Sequence, residues 1–344
     1  MSKKSPFNNF FPAILAALTI GFVGCGSQAA RTTFTQTNTQ VNENLPQVVA
    51  TTSVLCDLTR QVAGNTVNLT CLISPTADPQ FYKPKPEDRK AIEQANLILY
   101  NGYNFEPNLI KLIKATKSPT PKIAVGQLAV PKPQKFQVGD KNVSDPHIWH
   151  NTKNTIRMVK VINSNLIKIQ SSDAEVYTSN TKKITNELTQ LDSWIKSRIA
   201  SIPTKERKLV TTSDALSYYA KAYGISLAGG LPNISNNEKL TAEGVKNLAT
   251  NIKRAKVSTI FAEVETNPNL IQSLATEAQV NISNRKLYAE GLSEPGSEAD
   301  TYQKMMIANT RTIVEGLGGT YLMFEAKASR QLEHQFSNPR NRVF

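Results

Sequence analysis

Residues 172–202, SDAEVYTSNTKKITNELTQLDSWIKSRIASI, decide the architecture of this chain. Val176, Ile184, Leu188, Leu191, Ile195 and Ile199 fall at helical spacing, with Trp194 beside them. Neither Gly nor Pro interrupts the run before Pro203. The pattern predicts a single helix of roughly 30 residues, about 45 Å long at 1.5 Å per residue. A helix of that length runs the length of a small two-lobed protein.

On both sides of it, short apolar runs alternate with helical patterns. Before it, strands are expected at 47–52, 67–73, 95–100 and 122–125, with helices at 53–63, from Pro86, and at 105–115. After it, strands are expected at 208–212, 226–231, 259–263 and 286–289, with helices at 214–223, 241–255, 269–278 and 302–317. This alternation predicts parallel sheets wrapped by helices, an α/β class. An internal echo marks two related lobes. Thr51-Thr52-Ser53 is followed by a helix ending at Gly64, and Thr211-Thr212-Ser213 by one ending at Gly224, with eleven positions from Ser to Gly in each.

Asp145-Pro146-His147-Ile148-Trp149-His150 holds two of the three histidines. Asp is a good helix N-cap and Pro suits the first helical position, so a helix is expected to start here with His147 in its first turn. There the helix dipole disfavours the imidazolium and leaves the neutral ring that binds metal. Taken alone, the stretch also reads as a plain helix cap with a histidine filling a polar gap.

The N-terminus reads as a targeting segment. Lys3 and Lys4 precede an apolar run from Phe10 to Val23, too short for a comfortable membrane span, and Val23-Gly24-Cys25 resembles a lipoprotein cleavage box. Cys25 is read as the lipid-modified first residue of the mature chain. Residues 26–45 are rich in Thr, Gln, Asn and Ser and form a tether without a core. The formal charge is +13; Lys3 and Lys4 are the only charges in residues 1–24, so their removal leaves +11. Lysines such as Lys153, Lys160, Lys168, Lys182 and Lys183 are spread over helix faces. No basic block carries interleaved aromatics, which argues against nucleic acid. A basic surface is compatible with an anionic bilayer nearby. Cys56 and Cys71 either pair or fill small apolar gaps.

With these elements in place, the chain resembles the metal-binding lipoproteins of bacterial zinc and manganese ABC importers over about residues 46–330. The matching landmarks are Asp78-Pro79-Gln80-Phe81-Tyr82-Lys83-Pro84, Tyr100-Asn101-Gly102, Asp145-Pro146-His147-Ile148-Trp149, Thr212-Ser213-Asp214-Ala215 with Tyr218-Tyr219, Phe261-Ala262-Glu263 and Glu294-Pro295-Gly296-Ser297. The resemblance implies two Rossmann-like α/β lobes joined by one long rigid helix. It divides the chain into a signal peptide at 1–24, a flexible tether at 25–45, an N-terminal lobe at 46–171, the interlobe helix at 172–203, a C-terminal lobe at 204–330 and a mobile tail at 331–344. It implies one divalent transition metal, zinc or manganese, held between the lobes and delivered to an ABC permease. The molecule would be monomeric and held extracytoplasmically, on the periplasmic or cell-surface face, by the lipid at Cys25.

Position by position, the family's ligands fall on Gln80, His147, Ser213 and Glu290. Only His147 keeps the family's residue. Glu290 stands where the family has Asp, and Gln80 and Ser213 stand where it has histidine, or histidine or Glu. A Gln carbonyl and a Ser hydroxyl are weak donors, and the loss falls harder on zinc than on manganese. His150, three positions after His147, is the candidate for compensation, and Glu263 for a carboxylate behind the ligands. Ser213 also reads as a plain N-cap, like Ser53 in the first lobe.

Two other functions follow from these departures. One is a paralogue with weak or lost metal binding that acts as an adhesin, a sensor or a partner-docking protein. The other is an enzyme using Ser213, His147 and Glu290. Against it, Ser213 lacks the Gly-x-Ser-x-Gly elbow and no His-Glu-x-x-His motif exists, so no catalytic residue is assigned.

Overall fold

The computed structural model describes residues 44–138, 141–230 and 242–327. The signal segment, Cys25, nearly all of the tether and the tail beyond 327 lie outside the described residues. The first sheet has four parallel strands in the order Asn68–Cys71, Gln47–Ala50, Leu97–Tyr100, Lys122–Ala124. In the second half, Ser226–Gly230 pairs in parallel with Lys208–Thr211, and Thr259–Ile260 with Asn281–Ile282. A parallel bridge, Thr211 to Phe261, joins the two pairs. Each half therefore runs second, first, third, fourth across its sheet, as the sequence echo implies.

Strand periodicity explains the layering. In the first sheet Val48, Ala50, Leu97 and Leu99 face a central core, while Val49 and Ile98 face an outer layer with Ile92, Leu109 and Ile113. In the second, Leu209 faces the same central core and Val210 an outer layer with Leu248, Ile252 and Leu274. The central core is continuous across both halves. The long helix, Ala174–Ala200, contributes Tyr177, Ile184, Leu188, Leu191, Ile195 and Ile199 to it. Its outer side is strapped by residues 320–327. Trp194 Nε1 donates to the Leu322 carbonyl and Arg198 to that of Thr320, while Gln190 and Lys327 exchange two hydrogen bonds.

Several expectations are corrected. The residue capping Ser53–Ala63 is Thr52, whose side chain accepts from the Leu55 N–H; Ser53 is already helical. The last strand is Asn281–Ile282, and residues 286–289 contribute only the bridge from Leu287 to Glu263. An antiparallel hairpin, Lys135–Val138 with Lys141–Ser144, stands where no element was expected. The helix after Asp145 begins late: a 3-10 turn at Ile148–His150 comes first, then Thr152–Ile169 capped by Asn151. Cys56 and Cys71 form a disulfide between the first helix and the edge strand.

Two predictions follow from the packing. Leu188 is fully buried in the shared core, so Leu188→Ala should cost about 2–5 kcal/mol in urea unfolding. Circular dichroism and tryptophan fluorescence should move together, and two separated transitions would contradict a shared core. Glu106 is also fully buried, its Oε1 accepting from Thr51 Oγ1 at 2.8 Å and from the Asn101 N–H at 2.6 Å. Burial lifts its carboxyl to about 7. The folded chain then keeps a proton that the unfolded chain loses near its ordinary value of 4.5, so stability should fall between those pH values by about 3 kcal/mol. Glu106→Gln should flatten that slope in denaturation series from pH 4 to 8; an unchanged slope would show that Glu106 does not set it.

Candidate metal centre

The centre is built from loops that follow strands, where parallel sheets present their ligand-binding ends. Asp145 is the first fixed point. The hairpin delivers it: its N–H donates to the Gln134 carbonyl, and the Gln134 N–H donates to the Tyr218 hydroxyl of the second half. Asp145 does not cap a helix. Its Oδ1 accepts from the His147 N–H at 2.9 Å and contacts His147 Nδ1 at 2.8 Å, and its Oδ2 accepts from Ser217 Oγ. Asn101 Nδ2 donates to the Pro146 carbonyl and steadies the loop from below.

With Nδ1 held by Asp145, His147 points Nε2 at Glu290 Oε2, 3.3 Å away. Phe105 and Trp149 wall the ring, each with its centroid 5.4 Å from that of the imidazole. Burial alone would depress the imidazole. The charge of Glu290 and the hydrogen bonds of Asp145 and Glu290 outweigh it and lift His147 to about 10. Burial also works to raise Asp145, but His147 holds that carboxyl below its ordinary range. The expectation that a helix dipole keeps His147 neutral is thus corrected: only a three-residue 3-10 turn follows this ring, the α-helix starts at Thr152, and two carboxylates flank the imidazole.

His150 is fully buried, not solvated. Its Nε2 lies 2.8 Å from the Ala289 carbonyl, a contact that requires a proton on that nitrogen, and burial pushes the ring down to about 4. In this geometry the ring holds the backbone beside Glu290. Ser53 holds the other side, its Oγ accepting from the Leu292 N–H at 3.0 Å.

Ser213 lies beside Glu263, and Gln80 beside Asp78. Ser213 Oγ donates to Glu263 Oε1 at 2.7 Å and accepts from the Ala215 N–H at 3.2 Å. It closes a turn there and does not cap the helix Ser217–Tyr223. Gln80 is half-buried, and its N–H donates to Asp78 Oδ1 at 2.8 Å. Burial lifts Glu263 to about 8, with the charges of Glu290 and Glu265 adding to it. Burial and the Glu290 charge lift Asp78 to about 6. Burial lifts Glu265 to about 7, with Glu290 and Asp78 adding to it. Asp78, Glu265 and Ser217 were not singled out by sequence reasoning, and Asp145 was read only as a helix cap. Asp78 and Asp145 sat inside quoted landmarks, whereas Glu265 had only its place two residues after Glu263 on a strand end.

The structure thus brings His147 and Glu290 into contact, and the charge of Glu290 reaches Asp78, Glu263 and Glu265. Among the described residues, no three His, Cys, Asp or Glu side chains are gathered tightly enough to hold an ion as they stand. The donor chemistry nevertheless fits a cation. One imidazole has its far nitrogen on a carboxylate, which fixes ring and tautomer as in metal sites, and the facing groups are anionic.

The chain as a whole is similar to known proteins. Residues 48–316 match the family of the zinc-uptake complex component A, periplasmic. The manganese ABC transporter substrate-binding lipoprotein of Streptococcus anginosus is 32% identical over 277 residues, covering 79% of this chain and 89% of its own length. The manganese-binding lipoprotein of Bacillus subtilis is 29% identical over 310 residues, covering 89% of this chain and 97% of its own. The periplasmic zinc-binding protein of Treponema pallidum superposes with a TM-score of 0.73 at 27% identity, covering 79% of this chain and 99% of that one. With 269 consecutive residues spanned by the family match and this one fold beneath them, the chain belongs to the zinc-uptake complex component A family.

Proposed function

We propose that this protein is the extracytoplasmic substrate-binding component of an ABC importer for a divalent transition metal, zinc or manganese. It takes the ion as cargo at His147 and Glu290, with Gln80 and Ser213 as neutral donors, and hands it to a permease in the cytoplasmic membrane. The observation that carries this reading is the Asp145–His147–Glu290 line, an imidazole oriented by one carboxylate toward another. Glu263 supports Ser213 from behind, and His150 positions the backbone of Glu290. We read the molecule as a monomeric binding protein, anchored by lipid at Cys25, with its parts divided as the sequence indicates. The Ser213 hydroxyl donates to Glu263, a carboxylate, and not to an imidazole.

Capture and release need little lobe movement. The halves are tied by hydrogen bonds from Thr76 to Leu292, from Leu292 to Ser53, from Tyr302 to Asp57, and between Gln61 and Gln303. The long helix packs against both.

Calorimetric titration of the metal-free chain with manganese, zinc, cobalt and iron tests the reading. His147→Ala should abolish binding. Asp145→Asn should weaken it about 10–100-fold, as the loss of a ligand's orienting partner does. A Gln80→His, Ser213→His chain should bind zinc more tightly than the native one. Equal zinc affinity in those two would remove positions 80 and 213 from the site. In hydrogen exchange with and without the ion, protection should change at residues 74–86 and around His147 and Glu290. Uniform changes over both halves would instead indicate a hinge.

A further inference from the structure

The loop that carries Gln80 runs on, from Lys83 to Pro86, into the wall of a groove that the metal centre does not use. The groove is bounded by the helices Pro86–Gln94 and Pro107–Ala115 and has a volume of about 770 Å³. Pro84 and Leu112 line it with apolar surface, and Lys83, Lys85, Arg89 and Lys111 bring four cations to it. All four cations are exposed. Among the described residues, Lys83, Lys85 and Lys111 form no ion pair, and Arg89 only approaches Glu93, one turn on, at 3.8 Å.

The wall of the groove is firm. The Tyr82 hydroxyl donates to Asp88 Oδ2 at 2.8 Å, and Asn108 Nδ2 donates to the Tyr82 carbonyl at 2.8 Å, so both helices hold the chain between Gln80 and Lys83. The Lys85 N–H donates to Asp88 Oδ2 at 2.7 Å. A surface fixed in this way loses little entropy when a partner settles on it. Phe81, two residues before Lys83, is 52% exposed and is the one aromatic ring among the large exposed apolar side chains of the described residues.

Charge and shape select the partner. Four like charges around one groove draw anions to it. A small inorganic anion would leave the apolar surface of Pro84 and Leu112 uncovered. A bilayer surface is flat and does not enter a groove between helices. A protein segment with carboxylates on either side of an apolar side chain meets both the cations and the apolar lining, and exposed aromatic and Arg side chains are the types that anchor such interfaces.

We propose that this groove, together with Phe81, is the docking surface for an acidic extracytoplasmic segment of the permease. The inference rests on the import reading above and adds the face that is recognised and the charge of what recognises it. Docking there places the partner on the segment that also carries Gln80, so recognition and delivery share one loop.

The test titrates the chain onto phosphatidylcholine nanodiscs that hold the permease, with empty discs as the blank, and onto vesicles containing about one-third phosphatidylglycerol. The variants are a triple reversal, Lys83→Glu with Lys85→Glu and Lys111→Glu, the matching triple change to Arg, and Phe81→Ala. Melting temperature and manganese affinity should stay native in both lysine variants, which controls for folding. The native chain should bind the permease discs, and more weakly as salt rises. The reversal should lose about tenfold or more, the change to Arg should keep binding, and Phe81→Ala should weaken it. Undiminished binding of the reversal variant to the permease discs overturns this inference alone. Equal binding of the native chain to the anionic vesicles, lost on reversal, also overturns it and makes the groove a membrane contact. A native chain that takes up no divalent ion and ignores the permease discs overturns the import reading and this inference together.

Discussion

The bond between the Asp145 carboxylate and His147 Nδ1 holds the centre together. One oxygen serves the ring and the backbone N–H of the same residue, so ring and loop cannot move apart. The other accepts from Ser217 in the second half, so this loop of the first half is also fixed across the cleft. The imidazole is left one free direction for Nε2, and that direction meets Glu290. A ring held this way loses little entropy on taking up a cation, because its rotamer and tautomer are set beforehand.

The same arrangement explains the electrostatics of the metal-free molecule. Carboxylates on both sides of His147 stabilise its protonated form, which holds a single positive charge where the cargo would bring two. Around it, burial and mutual repulsion push Asp78, Glu263 and Glu265 upward together. Burial is the first cause of each shift, and the negative charge of neighbouring carboxylates adds to it. Since a metal-bound imidazole must give up its Nε2 proton, uptake of the ion and release of that proton are coupled.

The fold was legible because its signals are periodic and local. The long helix shows in the spacing of Ile184, Leu188, Leu191 and Ile195, and the first helix ends at Gly64, whose φ of 60° suits glycine. The hairpin was not legible, because Lys135–Val138 and Lys141–Ser144 are short, mostly polar and face each other at the edge of the core. Asp145 misled for a physical reason. A short carboxylate accepting an N–H two residues on uses the same chemistry in a turn as at a helix cap, and Asn151 does the capping here. His147 was found in its own stretch and again through motif resemblance, Glu290 through the resemblance alone. Asp78 and Glu265 were not connected to them, because the Glu290 charge that reaches both comes from a loop far away in sequence.

Glu290 is the fixed pole of this centre, and that constrains how an ion can leave. Its backbone is held on both sides by residues of the first half: His150 takes the carbonyl of Ala289, and Ser53 takes the N–H of Leu292. Leu292 also accepts, through its carbonyl, from the Thr76 N–H, so this segment is bound to the loop before Asp78. The ring opposite is held by Asp145. Neither pole can withdraw without breaking several buried hydrogen bonds at once, at about 1 kcal/mol or more each. Cargo that leaves without breaking them has to pass the groups around these two poles.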